Sequence, residues 1–414
     1  MQEQSTETGV SSRSLWDRSE DFAREHVRRF IQALPEEEVT ALVGRPKSAR
    51  RATVDAPAGY RHGHGKPRRP ALTCGTITVR RPRVRGLAER FVGRVLPLFQ
   101  RRTKPVGALL PRSYLHGSAL GDFEPAVRGL PGEGAPLSSA SLQRLKARWL
   151  PEYDAWKQRR RDALEIVSVW ADGPYVKAGS EAGTAALRVL VGALTDGRKM
   201  VLAVERGRRE SEESWGAVLR DLRARGLKPW RCTVADGHLG IRAALAEQQP
   251  TAAEQRCWNH RILNVPDAIP EKHHPDATTL LKAMPYAETR TACEHRRVRF
   301  GRRYRTLAPQ AVARLSRDRE RLVTFYRFPR EHWQHLRTTN VVESPFAAVR
   351  LRTTAGKRYT RVESATALIW KVLQVAEQTF RRLNAPRLLP AVYAGTQYVD
   401  GVRKNRVARQ EVAA

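Results

Sequence analysis

A chain of 414 residues with 41% hydrophobic content is long enough for two or three domains and at least one sizeable core. It has no apolar run of the roughly 18 residues that span a membrane, its N-terminal MQEQSTETGVSSRSLW lacks the apolar stretch of a signal peptide, and Cys74, Cys232, Cys257 and Cys293 are scattered without a disulfide framework, so a soluble cytoplasmic protein with free thiols is expected. The 75 Lys and Arg against 42 Asp and Glu give a net charge of +33 and a pI of 11.1, which favours nucleic acid over a membrane surface, since no free amphipathic segment joins a basic face to a bulky aromatic one.

In chain order, residues 14–34 set Leu15, Phe22, Val27, Phe30, Ile31 and Leu34 at helical spacing, which predicts an amphipathic helix in need of a partner surface. Between Arg45 and Arg85 the chain turns basic and rich in Gly and Pro. GYRHGHGKPRRP followed by the alternating LTCGTITVRRPRV predicts a basic loop and then a hairpin, with Arg61, Lys66, Arg68, Arg69, Arg80 and Arg81 as phosphate contacts. His62, His64 and Cys74 lack the fourth ligand of a closed zinc site. The segment LHGSALGDFEPAVRGLPGEGAPLSSASLQRLKARWLPEYDAWKQR holds two helical patterns around a Gly and Pro turn. The second is capped near Ser138 or Ser139 and carries Arg144, Lys146 and Arg148; it fits either a helix-turn-helix with a recognition helix or two plain helices.

After Arg161 the texture changes. LEIVSVWADGPYVKAG, TAALRVLVGALTDG and RKMVLAVERG are three β-branched apolar runs joined by Gly and Asp turns. SEESWGAVLRDLRARGL predicts a helix capped by Ser211 or Ser214 and ended by Gly226; PWRCTVADG is a fourth strand, LGIRAALAEQQ a helix, and EQRCWNHRILNV a fifth strand or its continuation into a helix. Residues 262–335 read as polar, Arg-rich and helical, and YTRVESATALIWKVLQVAEQTFRRL as a helix with Ala365, Leu368, Ile369, Val372, Val375 and Ala376 on one side. Three antiparallel strands followed by alternating helices and strands is the order of the ribonuclease H-like fold, an α/β architecture with a mixed five-stranded sheet, here interrupted by an all-α insertion.

In that order Asp172 ends the first strand and Asp236 the fourth, each within Ala-Asp-Gly, on strands that should be neighbours. A third carboxylate must come from a later helix, and Glu343 stands near the start of one, after Thr338, Thr339 and Asn340, which can cap it. Carboxylates so gathered suit Mg²⁺ or Mn²⁺, hard cations that take oxygen ligands, and two ions roughly 4 Å apart can activate a nucleophile and stabilise the leaving oxygen of a phosphodiester. An Asp-Gly pair alone is a turn, and Asp196-Gly197 is read as nothing more. Cys257 and His260 in CWNH have the spacing of half a zinc site, with His273, His274 and His295 as candidate partners; the alternative is a buried Cys and a hydrogen-bonding His beside Trp258.

DGPYVKAG, VLAVERGRRESEESWGAVLRDLRARGL, ADGHLGIRAAL, EQRCWNHRILNV and HLRTTNVVESPFAAVRLRT, in this order and spacing, resemble the Mutator-type DDE transposases of bacterial insertion sequences, and the likeness covers most of the chain. The resemblance implies that Asp172, Asp236 and Glu343 form the catalytic and metal-binding triad. It also implies that Cys257 and His260 fall on a Cys-x-x-His motif of open role, and that a helical insertion separates the second Asp from the Glu. Further implications are recognition of terminal inverted repeats by the basic N-terminal region, strand cleavage followed by strand transfer, a homodimer or higher oligomer on DNA, and a nucleoid-associated location. Pro345, close behind Glu343, is tolerated in a first helical turn. The expected division is a DNA-binding region over 1–160, core over 161–261, insertion over 262–336, core with Glu343 over 337–384, and a loosely ordered tail over 385–414. Two readings compete with an active transposase: a catalytically silent DNA-binding descendant, and a ribonuclease H-like nuclease without strand transfer.

Overall fold

The computed structural model describes residues 15–51, 53–54, 59–89, 91–94, 103–115, 139–177, 184–207, 211–355, 359 and 361–404. The chain forms two compact units, Met1–Leu145 and Lys146–Ala414.

In the first unit the opening helix is Leu15–Val43, which runs through Pro35 past its expected end. Its inward face is continued by Val39 and Val43, both buried, while Phe22 and Phe30, expected on that face, are exposed. Ile31 packs with Leu72 against Ile77 and Val79. The basic stretch is not a loop. Strand β1 (Tyr60–His64) pairs antiparallel with β4 (Pro82–Arg85), enclosing the two-residue strands β2 (Ala71–Leu72) and β3 (Gly75–Thr76). The Gly and His content of β1 conceals it, because its hydrogen bonds come from a partner some twenty residues on and its register shifts between Arg61 and His64. A helix follows at Lys104–Leu115. The first half of the expected helix-turn-helix lies outside the described residues, and its second half is the helix Ser139–Lys157.

The second unit is built on a six-stranded mixed sheet. β5 (Ile166–Asp172) lies between β9 (Cys232–Ala235), which is parallel to it, and β7 (Thr184–Leu194), which is antiparallel. β10 (Ala253–Arg256) extends the parallel side beyond β9; β6 (Tyr175–Lys177) and β8 (Lys199–Gly207) both pair with β7. The expected first strand is thus two, β5 and β6, interrupted at Gly173-Pro174. Pro174 has no N–H to give the ladder, but its carbonyl accepts from Leu187 N at 3.0 Å and the pairing resumes.

Helices Glu212–Ala224 and Leu239–Gln248 cover the sheet through Trp215, Val218, Leu219, Leu222, Ile241, Ala244 and Leu245, which join Ile166, Val169 and Ala171 in one core. Ser211 caps the first of them as expected, and Gly226 beyond its end adopts φ 90°. The outer strands β8 and β10 are both engaged by later or earlier elements. On β8, Val201 N donates to Glu377 Oε2 (2.9 Å) and the Val204 carbonyl accepts from Tyr153 Oη (2.6 Å), which come from helices Val362–Glu377 and Ser139–Lys157. On β10, the Glu254 carbonyl accepts from Thr324 Oγ1 (2.7 Å), and the buried Gln255 side chain bonds Phe325 N (2.8 Å) and the Leu322 carbonyl (3.1 Å). Backbone groups so engaged are not free to pair with another strand.

Residues 258–355 are helical, beginning with Trp258–Asn264, so EQRCWNHRILNV is a strand continuing into a helix. The segment after Asn384 is not loose up to residue 404. Leu389 and Val392 are buried, Arg231 Nε donates to the Tyr393 carbonyl (2.7 Å), and Tyr398–Val399 and Val402–Arg403 form a small hairpin whose turn residue Asp400 accepts from Arg290 N (2.7 Å). Elements of two to five residues are too short to announce themselves by periodicity; docking holds them.

One buried ionic cluster joins the helical region to the sheet. Asp318, 2% exposed at its side chain, accepts from Arg256 at the end of β10, from Arg261 in the following helix and from Arg321. Arg321 also reaches Glu254 at 3.2 Å. Burial pulls the Arg261 guanidinium down to about 10, Arg256 adds to the effect, and Asp318 opposes it. Removing the shared carboxylate strands Arg256 and Arg261 and leaves Arg321 to Glu254 alone. Asp318→Ala is therefore expected to lower stability by about 3–5 kcal/mol, read by urea unfolding, and a loss below about 1 kcal/mol would contradict this account of the cluster.

Candidate active site

The site grows from where two central strands stop. β5 is buried along Ile166–Ala171, as a strand covered on both faces should be, and its last residue, Asp172, is half-buried. Gly173 is required next: a Cβ there would meet the Leu187 carbonyl oxygen at 2.6 Å. Gly173 N donates to Asp172 Oδ1 at 2.8 Å, fixing the carboxylate as it leaves the ladder. The parallel register pairs Ala171 with Ala235, so Asp172 and Asp236 follow side by side at the same end of the sheet. Asp236 is turned by Gly237, at φ 81°, and its Oδ1 accepts from His238 N at 2.9 Å. His238 then caps the helix Leu239–Gln248 through its Nδ1, which accepts from Gly240 N (3.2 Å).

Glu343 arrives on the short helix Asn340–Glu343, which packs against β5. Two hydrogen bonds aim the segment before it: Trp170 Nε1 to the His335 carbonyl (2.8 Å) and Trp258 N to the Arg337 carbonyl (2.9 Å). The helix stops ahead of Pro345, and a separate helix, Phe346–Ala355, follows, so Pro345 lies between two helices rather than in a first turn. Thr339 occupies the N-cap position without a side-chain capping bond; its hydroxyl turns to Glu343 Oε1. Asn340 N is served instead by Thr338 Oγ1 at 3.4 Å.

Burial pushes the Asp172 carboxyl up to about 6; the Gly173 amide and the His260 charge oppose the rise, and Glu343 and Asp236 add to it. Asp172 therefore senses His260, Glu343 and Asp236. His260 is also raised, which for an imidazole favours the cation, up to about 9, through its hydrogen bond with Cys257, then against burial and with help from the charges of Cys257, Asp172 and Glu343. Cys257 is buried and extends the sheet, its N donating to the Ala235 carbonyl at 2.7 Å. Cys257, His260 and Glu343 have ligand atoms within 4.8 Å of one another, the one such group among the described residues. His274 is not part of it; its Nε2 lies 2.7 Å from the Ile269 carbonyl oxygen.

Among the basic residues, Lys66, Arg69, Arg80, Arg144 and Arg148 are exposed, while Arg61, Arg68, Arg81 and Lys146 are half-buried. Arg61 is held inside its own unit by the Arg45 carbonyl (2.9 Å) and Thr40 Oγ1 (2.6 Å), and Arg81 by the Phe91 carbonyl (3.1 Å). Burial, and then the nearby Arg352, lowers the pKa of Lys146. Sequence reasoning misses Arg83 and Arg85, exposed on β4 on either side of Val84; the alternation in VRRPRVRG is the signal that could have found them. It also makes Thr339 a cap and nothing more.

Comparison with known proteins gives the family. The family model for transposases of the Mutator family matches residues 1–382. The transposase for insertion sequence element IS6120 of Mycolicibacterium smegmatis is 39% identical over 71% of this chain and 91% of its own length. That for IST2 of Acidithiobacillus ferrooxidans is 38% identical over 66% of this chain and 93% of its own. The transposase for IS1081 of Mycobacterium tuberculosis is 30% identical over 95% of this chain and 92% of its own. The chain belongs to the Mutator family of transposases.

Proposed function

We propose that this protein is the transposase of an insertion sequence, binding terminal inverted repeats and catalysing metal-dependent DNA cleavage and strand transfer with Asp172, Asp236 and Glu343. The observation that carries the reading is the Ala171–Ala235 register, which brings two carboxylates to one sheet end beside the helix bearing the third. The sheet order β8, β7, β5, β9, β10 supports a ribonuclease H-like core, with the helices after Asn264 as an insertion ahead of Glu343.

The residues fit a hard divalent cation. All three offer oxygen, and each Asp has one oxygen steadied by a backbone amide, leaving the other for a ligand. The upward shift of Asp172 through burial and through its carboxylate neighbours marks negative charge gathered where a cation would relieve it. Bound Mg²⁺ or Mn²⁺, in two sites, would supply activation of the attacking oxygen and stabilisation of the leaving one. The chain's own part is to hold the carboxylates: Gly173 and His238 amides orient the Asp pair, and the Trp170 and Trp258 bonds hold the Glu segment. Water attacks at the element ends, and the freed 3′-hydroxyl then attacks target DNA, with no covalent protein intermediate. The exposed bases of the first unit, Lys66, Arg69, Arg80, Arg83 and Arg85, suit phosphate contacts, and pairing two ends calls for at least a dimer.

Asp172→Asn, Asp236→Asn and Glu343→Gln are each expected to lower cleavage of end-bearing DNA by ~10³-fold or more, as loss of several kcal/mol of charge stabilisation requires, while gel-shift binding to the ends persists. Retained cleavage in any variant removes that residue from the triad. In the unmutated protein, cleavage without strand transfer would favour the nuclease, and binding without either the silent descendant. End binding should also weaken ~10³–10⁵-fold between 50 and 200 mM salt for roughly 6–10 phosphate contacts; a flat titration would exclude a phosphate-dominated interface.

A further inference from the structure

Cys257, His260 and Glu343 surround a fourth side chain. Thr339 is fully buried, and its Oγ1 bonds Glu343 Oε1, lies 3.1 Å from Cys257 Sγ and 3.5 Å from His260 Nδ1, while its backbone N donates to Cys257 Sγ at 3.3 Å. We propose that Thr339, clamped by Cys257 and His260, is the positioning residue that sets the Glu343 carboxylate for metal binding. The proposal rests on the reading of Glu343 as a metal ligand and assigns the Cys-x-x-His motif a task in it.

The hydrogen count fixes the roles. A threonine hydroxyl has one proton and two lone pairs. Ionised Glu343 can only accept, so the proton goes to Oε1. Cys257 Sγ, which accepts from Thr339 N, then lies 3.1 Å from Oγ1 on one side, and the His260 ring nitrogen lies 3.5 Å away on the other. The hydroxyl is thereby held from both sides, and with it one oxygen of Glu343, leaving the second to turn toward the Asp pair.

The same trio could be taken for a zinc site. Zinc needs bonds of about 2.0–2.3 Å to each ligand, and the ground between these ligands is held by the Thr339 hydroxyl, which contacts them all. A hydrogen-bonded partner behind a metal-binding carboxylate is a common device, and its loss typically weakens metal binding ~10–100-fold.

Thr339→Val keeps the shape and removes the hydroxyl; Thr339→Ser keeps the hydroxyl. Mn²⁺ binding to the full-length protein without DNA is read from the paramagnetic resonance signal of free Mn²⁺, alongside urea unfolding and gel-shift binding to end DNA. Thr339→Val is expected to bind Mn²⁺ ~10–100-fold more weakly with end binding unchanged, and Thr339→Ser to restore it. If Thr339→Val fails to fold, Cys257→Ala carries the test, with the same direction of change expected. Wild-type Mn²⁺ binding in the folded variants, beside weakened binding in Asp172→Asn and Glu343→Gln, overturns the role of Thr339 alone. Wild-type binding in Asp172→Asn and Glu343→Gln overturns the triad and this proposal with it. Stoichiometric zinc in the purified protein, lost in Cys257→Ala, makes the trio a zinc site instead.

Discussion

The parallel pairing of β5 with β9 is the constraint on which the rest depends. Residues one past Ala171 and Ala235 leave neighbouring strands at the same level, so two acidic side chains are delivered to one place by backbone hydrogen bonds alone. Such delivery is rigid only if both strands are interior. β7 beside β5, β10 beside β9, the Glu377 and Tyr153 contacts on β8 and the Gln255 and Thr324 contacts on β10 together ensure it. The engaged outer strands and the carboxylate pair are therefore one design: a frayed β10 would loosen β9, and with it Asp236.

The Glu side of the site is held differently. Its helix has only the residues Asn340–Glu343 and cannot hold itself up by local hydrogen bonding. Its place comes from long-range bonds to Trp170 and Trp258, from the stack of Arg337 on Tyr286 and Phe325 at 4.8 and 5.1 Å, and from the Asp318 cluster, which ties the helical region to the end of β10. Arg256 belongs to that cluster and also senses the charge of Asp236. The stability of the helical region and the electrostatics of the Asp pair are thus joined through one guanidinium.

This contrast explains which parts of the site are legible in the sequence. Asp172 and Asp236 can be found from residue patterns, because apolar β runs ending in Ala-Asp-Gly mark a strand end directly. Glu343 is less legible: the Thr-Thr-Asn run marks a helix start, but nothing local says that TTNVVES returns to the sheet, and its assignment leans on likeness to a family motif. Thr339 misleads for a physical reason. A Thr ahead of a helix is usually a cap, and here the Glu343 carboxylate four residues on and the distant Cys257 turn its hydroxyl elsewhere. Arg61 and Arg81 stand out by their charge, yet internal carbonyls take up their guanidinium groups, while Arg83 and Arg85 remain exposed. β1 stays hidden because its partner lies on the far side of β2 and β3.

The ionisation of the site follows from the same geometry. Asp172 holds its proton more tightly folded than unfolded, so the stability that proton contributes is full below the ordinary carboxylate range and is lost as pH rises through about 6. His260 is also raised, so its contribution is full below the ordinary imidazole value and is lost as pH climbs through about 9. Between these limits the half-buried Asp172 is a carboxylate, and the His260 imidazolium is an opposing charge on it. The strand register fixes where that ionisation takes place, because Asp172 follows Ala171 directly out of the ladder with β9.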